Sequence, residues 1–225
     1  MDFSNFKGVI FDLDGTLISS SHVWSDIDIK FLSKRGFEVP KNYFKAVSAM
    51  NFKEAAIYTK NFFDLGESIE DISDEWLEMA RDEYAHNIFL KSGAEKFIKL
   101  LKDKGIKIAL ATASVKDLYE AVLKNNGIYE LFDFFASTDQ VKRGKGFPDV
   151  YEFACNGLKL YPEDCAVFED IIDGIRGANA GGFTSVACLD EHYIADWDDM
   201  KNEADFYFSD YNLILYNGTK DTVKC

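Results

Sequence analysis

The sequence predicts an α/β fold: a parallel β-sheet with helices on both faces, interrupted after its first strand by an all-α insertion. Three observations predict it. Lys7–Leu13 holds a nearly continuous apolar run, Val9-Ile10-Phe11 and Leu13, as expected of a parallel strand covered on both faces. From Gly93 onward, short apolar runs alternate with helical periods, which implies crossover connections and a parallel sheet. Between them, residues 19–90 offer helical periods and no convincing strand.

In the insertion, Trp24, Ile27, Phe31 and Leu32 recur at helical spacing until Gly36 and Pro40 stop them. Phe44, Val47, Ile57, Phe62 and Phe63 continue the pattern. Asp64–Glu83 carries nine carboxylates and one base, Arg81, yet Trp76, Leu77, Met79 and Ala80 keep an apolar stripe, so it reads as a helix with a solvated acidic face. Beyond it, Ala94, Phe97, Ile98, Leu100 and Leu101 form a helical face closed by Gly105, a suitable residue just past a helix end. Ile106–Ala111 reads as a strand. Val115, Leu118, Tyr119, Val122 and Leu123 make the next helix, ended by Asn126-Gly127. Phe132–Ser137 reads as a strand, and Pro148 suits the first turn of a helix carrying Val150, Phe153, Ala154 and Leu158. Cys165–Phe168, Thr184–Cys188 and Asp205–Phe208 read as strands, with a short helix at Gly174–Ala180. The predicted organisation is a Rossmann-like core of residues 1–18 and 91–225, with a helical insertion at 19–90.

Composition excludes several classes. The 225 residues are 47% hydrophobic and 15% aromatic, enough to bury a core and exclude wholesale disorder. With 25 basic against 39 acidic residues the net charge is −14, which argues against phosphate-backbone binding and against a polybasic membrane surface. No apolar run approaches the roughly 18 residues of a membrane span. Met1–Lys7 lacks the basic start of a secretory signal. Cys155, Cys165, Cys188 and Cys225 are scattered without a CxxC, fitting reduced thiols and a cytoplasmic location. The three histidines are too far apart to suggest a zinc site.

Ligands of open α/β sheets bind beyond the carboxyl ends of the strands. The first strand ends in Asp12-Leu13-Asp14-Gly15-Thr16, where residues two apart share a face and two carboxylates can overhang one crevice. Asp-Gly is also ordinary turn chemistry. Like charges so close call for a cation or a shared proton, and oxygen ligands suit Mg²⁺. Thr112-Ala113-Ser114 can hold an anion through hydroxyl and backbone N–H groups, or Thr112 or Ser114 simply caps the next helix. Lys145, in Gly144-Lys145-Gly146-Phe147-Pro148-Asp149, can neutralise a phosphate as a point charge. Glu169-Asp170 follows another apolar strand, where crowded carboxylates are costly without a metal.

In this order the residues resemble the haloacid dehalogenase-like hydrolases. The matching stretches are Phe11-Asp12-Leu13-Asp14-Gly15-Thr16, Thr112, Lys145 in Gly-Lys-Gly-Phe-Pro-Asp, and Glu169-Asp170 followed by Gly174. The insertion resembles that family's helical cap and directs attention to its phosphatase and β-phosphoglucomutase branch. The resemblance implies Asp12 as nucleophile forming an aspartyl-phosphate, and Asp14 as general acid and then base. It implies Thr112, Ala113 and Lys145 as phosphoryl-binding groups. Asp12, the Asp14 carbonyl, Glu169 and Asp170 would then surround Mg²⁺.

Two departures favour hydrolysis over mutase chemistry. Members that act as β-phosphoglucomutases carry a His where this chain has Trp24, and a cap Ser-Arg pair where it has Ala49-Met50-Asn51-Phe52-Lys53. The expected substrate is a small phosphorylated metabolite, and no obligate protein partner is evident. The alternatives are a β-phosphoglucomutase-like phosphotransferase, or a binding module on the same scaffold, which the filled catalytic positions disfavour. His22, Trp24, Tyr43, Met50 and Lys53 are the candidates for lining the cleft from the helical side.

Overall fold

A computed structural model describes residues 3–47 and 50–217; Met1, Ala49 and Cys225 lie outside the described residues. Six strands, Gly8–Phe11 (β1), Lys107–Thr112 (β2), Phe134–Ser137 (β3), Cys165–Glu169 (β4), Thr184–Cys188 (β5) and Phe206–Phe208 (β6), pair in the order β3-β2-β1-β4-β5-β6. All five pairings are parallel.

Alternation along β1 divides two cores. Val9 and Phe11 join Phe97, Ile98 and Leu101 of Ala94–Asp103 (α5) and Val122 and Leu123 of Lys116–Asn125 (α6). Ile10 joins Val150, Tyr151 and Ala154 of Asp149–Leu158 (α7) and Ala178 of Ile172–Ala180 (α8). The sheet is therefore covered on both faces, which is why its strands read as apolar runs.

Several strand boundaries differ from the expected ones. β1 stops at Phe11, so Asp12 and Asp14 are not strand neighbours on one face. The Asp12 N–H still reaches Phe168 O at 3.0 Å, but the chain then turns, with Gly15 at φ 80° and the Gly15 N–H on Ile18 O at 3.0 Å. A turn rather than a strand face brings the two acids together, and its left-handed residue suits glycine. β2 and β4 end one residue later than expected, because Thr112 pairs with Ser137 and Glu169 with Ala187. β3 starts later than expected, because Tyr129–Leu131 makes a helical turn and the Phe132 N–H bonds Tyr129 O.

Between β1 and α5 lie Ser21–Ser33 (α1), Tyr43–Val47 (α2), Phe52–Phe63 (α3), Ile69–Asp82 (α4) and a π-helical turn, Glu83–Asn87. Capping boxes start two of them: Asn51 with Glu54, and Ser68 with Asp71. Ile72, Trp76 and Ala80 face inward along α4, and most of its acids face solvent. Glu75 of α4 instead pairs with Arg35, as Glu67 just before the helix does. The chain leaves and re-enters the sheet layer at one place. Ile18 bridges Leu90, the Ser19 N–H bonds Phe89 O at 3.2 Å, and the Lys91 N–H bonds Leu17 O at 2.8 Å. The remaining helices are Trp197–Glu203 (α9) and Tyr211–Asn217 (α10).

At Gly177 of α8, a Cβ would stand 2.0 Å from Lys145 O and 2.9 Å from Phe147 O. The helix lies directly against the backbone of the lysine loop. Gly177→Ala is expected to push that loop away and lower stability by about 1–3 kcal/mol, as overpacking does. Chemical denaturation checks this, and a variant as stable as the parent would contradict the contact.

Candidate active site

Parallel order brings the ends of β2, β1 and β4 side by side, and the polar residues that follow them meet there. Asp12, Glu169 and Asp170 are all buried, with carboxylate oxygens within 4.8 Å of one another. Lys145, equally buried, donates to Asp12 and lies 2.8 Å from Glu169 Oε1. Burial alone would lower the Lys145 ammonium, but the carboxylates of Asp12 and Glu169 outweigh it and raise it. Neutral donors share the load. The Thr16 hydroxyl donates to Asp170 Oδ1 at 3.2 Å and the Tyr151 hydroxyl to Glu169 Oε1 at 2.8 Å. Glu169 Oε2 and Asp170 Oδ2 remain buried without a hydrogen-bond partner.

One ammonium does not balance these acids. Burial, then Asp12 and Glu169, push Asp170 well above the usual carboxylate range. Burial also raises Glu169, against the pull of Lys145. Partnerless carboxylate oxygens around an all-oxygen donor set are what a hard divalent cation such as Mg²⁺ takes, so these residues fit a metal.

Asp14 stands apart from that cluster and is held from the helical side. The hydroxyls of Tyr84, in the π-helical turn, and of Ser20 (2.7 Å) both donate to its Oδ1. The Trp24 indole donates to the Tyr84 hydroxyl at 2.6 Å. Burial, then Asp12, raises the Asp14 carboxyl to about 6. On the other flank, the Thr112 hydroxyl accepts the Ser114 N–H at 2.9 Å.

A cleft of about 150 Å³ opens over these groups. Asp12, Asp14, Ala113, Ser114, Lys145 and Asp170 form one end, and Trp24, Asp28, Tyr43, Met50, Phe52 and Trp76 line the rest. Thr112 and Glu169 lie behind this surface. Two expected lining residues are elsewhere. His22 is exposed on α1 and faces a second, more polar pocket with Lys91 and Asp190. Lys53 is exposed on α3 and lines neither pocket. Both side chains fall on the outer sides of their helices.

Sequence reasoning missed Thr16, Ser20, Asp28, Tyr84 and Tyr151 as site residues. Thr16 and Ser20 follow the first acid motif closely and could have been read as donors to it. Tyr84 is 70 residues from Asp14, and no local pattern signals that contact.

A family model described as haloacid dehalogenase-like hydrolase matches residues 6–182. Validoxylamine A 7'-phosphate phosphatase of Streptomyces hygroscopicus subsp. limoneus is 28% identical over 188 residues, 83% of this chain and 87% of that protein. Hexitol phosphatase A of Escherichia coli (strain K12) is 30% identical over 187 residues, 80% of this chain and 82% of that protein. Among solved structures, β-phosphoglucomutase (pgmB) from Clostridium difficile superposes with a TM-score of 0.81 at 21% identity, covering 95% of each chain. CbbY from Rhodobacter sphaeroides in complex with phosphate gives 0.77 at 23% identity, over 93% of this chain and 96% of that one. Among the described residues no helix is long and apolar enough to cross a membrane.

Asp28 supplies a pH-dependent prediction. Burial raises its carboxyl to about 7, with the Tyr43 hydroxyl opposing. A carboxyl raised in the folded state costs stability as pH climbs from its ordinary range toward 7, and the cost levels off above that. Asp28→Asn is therefore expected to stabilise the protein at pH 8 by on the order of 1–4 kcal/mol, with the gain shrinking toward pH 4. Denaturation curves across that range check the sign.

Proposed function

This chain belongs to the haloacid dehalogenase-like hydrolases, and from that premise we propose that it is a Mg²⁺-dependent phosphatase of a small phosphomonoester, acting through an aspartyl-phosphate on Asp12. The observation that carries this reading is the buried group of Asp12, Lys145, Glu169 and Asp170 at one end of a small cleft. Phosphoryl transfer asks a protein mainly for positioning and for cancellation of charge on the phosphoryl oxygens. Relatives named as phosphatases of validoxylamine A 7'-phosphate and of hexitols support a small phosphorylated carbohydrate as the substrate class.

In this mechanism a carboxylate oxygen of Asp12 attacks phosphorus, and the bond from phosphorus to the ester oxygen breaks. Asp14 gives its proton to that departing oxygen. Water then attacks the phosphorus of the aspartyl-phosphate while Asp14 takes a proton from it, releasing phosphate and restoring the Asp12 carboxylate. The Lys145 ammonium, the Thr112 hydroxyl and the Ala113 backbone N–H hold the transferring group. Asp12, Asp170 and the Asp14 carbonyl would hold Mg²⁺, with Glu169 behind them fixing Lys145. When bound, the cation would supply positive charge to offset that of the crowded carboxylates and the transferring group. Trp24 stands where a mutase would carry a His and donates its indole proton to Tyr84, so it offers no group to shuttle protons; this favours hydrolysis over phosphoryl return to the product.

Phosphate release from small sugar and alditol phosphates tests the reading. Activity should require Mg²⁺, vanish with EDTA, and fall at least about a thousandfold in Asp12→Asn. Release that survives Asp12→Asn removes the aspartyl-phosphate. A bisphosphate-dependent isomerisation of β-glucose 1-phosphate faster than phosphate release would replace hydrolysis by the mutase reading. Tyr84→Phe deletes one donor to Asp14 and is expected to lower kcat about 10- to 100-fold with a smaller change in KM; an unchanged kcat would remove Tyr84 from the positioning of Asp14.

A further inference from the structure

Two polar groups on the helical side of the cleft have no part in the mechanism above. Asp28 lies one helical turn beyond Trp24 on α1; it lines the cleft and is buried to 8% exposure. Trp76 of α4, at 4% exposure, lines the same cleft, and its indole N–H has no hydrogen-bond partner. The two helices pack together, with the Phe31 and Trp76 rings 5.6 Å apart. Tyr43, Phe52 and Val47 make the surrounding wall apolar or aromatic.

The proton inventory beside Asp28 is informative. The Thr59 hydroxyl donates to Ala55 O at 2.7 Å, so across its 2.7 Å contact with Tyr43 it acts as acceptor. The single Tyr43 proton is thereby contested between Thr59 Oγ1 and Asp28, so the carboxyl has one shared donor, which agrees with burial raising it to about 7. No cation is recorded against it among the described residues. The cleft thus carries an under-supplied acceptor and a free donor on two packed helices. Leaving such groups buried and unpaired is costly.

We propose that Asp28 and Trp76 are specificity-determining residues that select phosphate esters of polyhydroxylated alcohols, Asp28 accepting a hydroxyl proton of the leaving group and the Trp76 indole donating to a hydroxyl oxygen. A hydroxyl answers both groups, since it donates and accepts. An ammonium answers only Asp28, and an alkyl chain answers neither. The inference rests on the phosphatase reading and deepens it.

The test compares three esters of equal chain length as substrates of the full chain with Mg²⁺: an alditol phosphate, an alkyl phosphate and an ω-aminoalkyl phosphate. In the parent protein, kcat/KM for the alditol ester should exceed both others at least about tenfold. Asp28→Leu and Trp76→Phe should each bring the alditol-to-alkyl ratio down at least about fivefold toward unity. The ratio is taken within one preparation, so partial misfolding of a variant does not move it, and Asp28→Asn, which keeps size and one acceptor, supplies an intermediate ratio. Equal rates on the three esters, preference for the amino ester, or a ratio unchanged in either the Asp28→Leu or the Trp76→Phe variant overturns the inference. Release from none of the three overturns the phosphatase reading instead.

Discussion

Like-charge crowding is the constraint on which the rest of the structure depends. Three carboxylates, Asp12, Glu169 and Asp170, are buried within 4.8 Å of one another around a single ammonium. Removing such charges from water costs several kcal/mol per ion unless partners are placed around them. The fold supplies those partners from distant parts of the chain: Thr16 from the turn after β1, Tyr151 from α7, and Lys145 from the loop against which α8 presses at Gly177. Parallel neighbours on both sides of β1 make the convergence possible, because all three strand ends then point to one edge. A site of this kind trades stability for a place where charge on a ligand is better answered than it is in water.

Asp14 obeys a different constraint. Its donors come from the connecting segments, Ser20 just before α1 and Tyr84 just after α4, rather than from the sheet. The acid therefore reports on where the helical layer sits. While Trp24, Tyr84 and Asp14 are linked, the wall of the cleft and the carboxyl that would transfer protons form one hydrogen-bonded unit.

Much of this was legible in the sequence. The apolar runs of β1, β2, β4 and β5 were readable because burial on both faces leaves no polar alternation to confuse them. Asp12, Asp14 and Glu169-Asp170 stood out because they follow directly on, or close behind, such a run, and Lys145 because it sits in the Gly-Lys-Gly-Phe-Pro-Asp loop before a helix. Helix starts in the insertion were also written locally, in Asn51-Phe52-Lys53-Glu54 and Ser68-Ile69-Glu70-Asp71, though periodicity alone passes over them. What was not legible depends on contacts across the chain. His22 and Lys53 sit on the right helices, but only the packing of those helices decides which side meets the cleft. Tyr84, and the pairing of Asp28 with an unpartnered indole at Trp76, arise from elements brought together only in three dimensions.

The place where the chain leaves and re-enters the sheet layer has a consequence for how such molecules diversify. Residues 17–19 run beside 89–91, held by the Ile18–Leu90 bridge and two backbone hydrogen bonds. The two ends of the excursion are thus already closed, and loop-closure entropy grows only as the logarithm of what is inserted between them. The intervening segment can be lengthened, shortened or exchanged with little penalty to the sheet beneath, provided the replacement brings its own core. Descent with modification can then rewrite what the cleft admits in a single recombination event, leaving the buried group of Asp12, Lys145, Glu169 and Asp170 in place while replacing Ser20 and Tyr84, the donors to Asp14. Splicing at 18 and 90 marks the natural cut for building chimaeras from this scaffold.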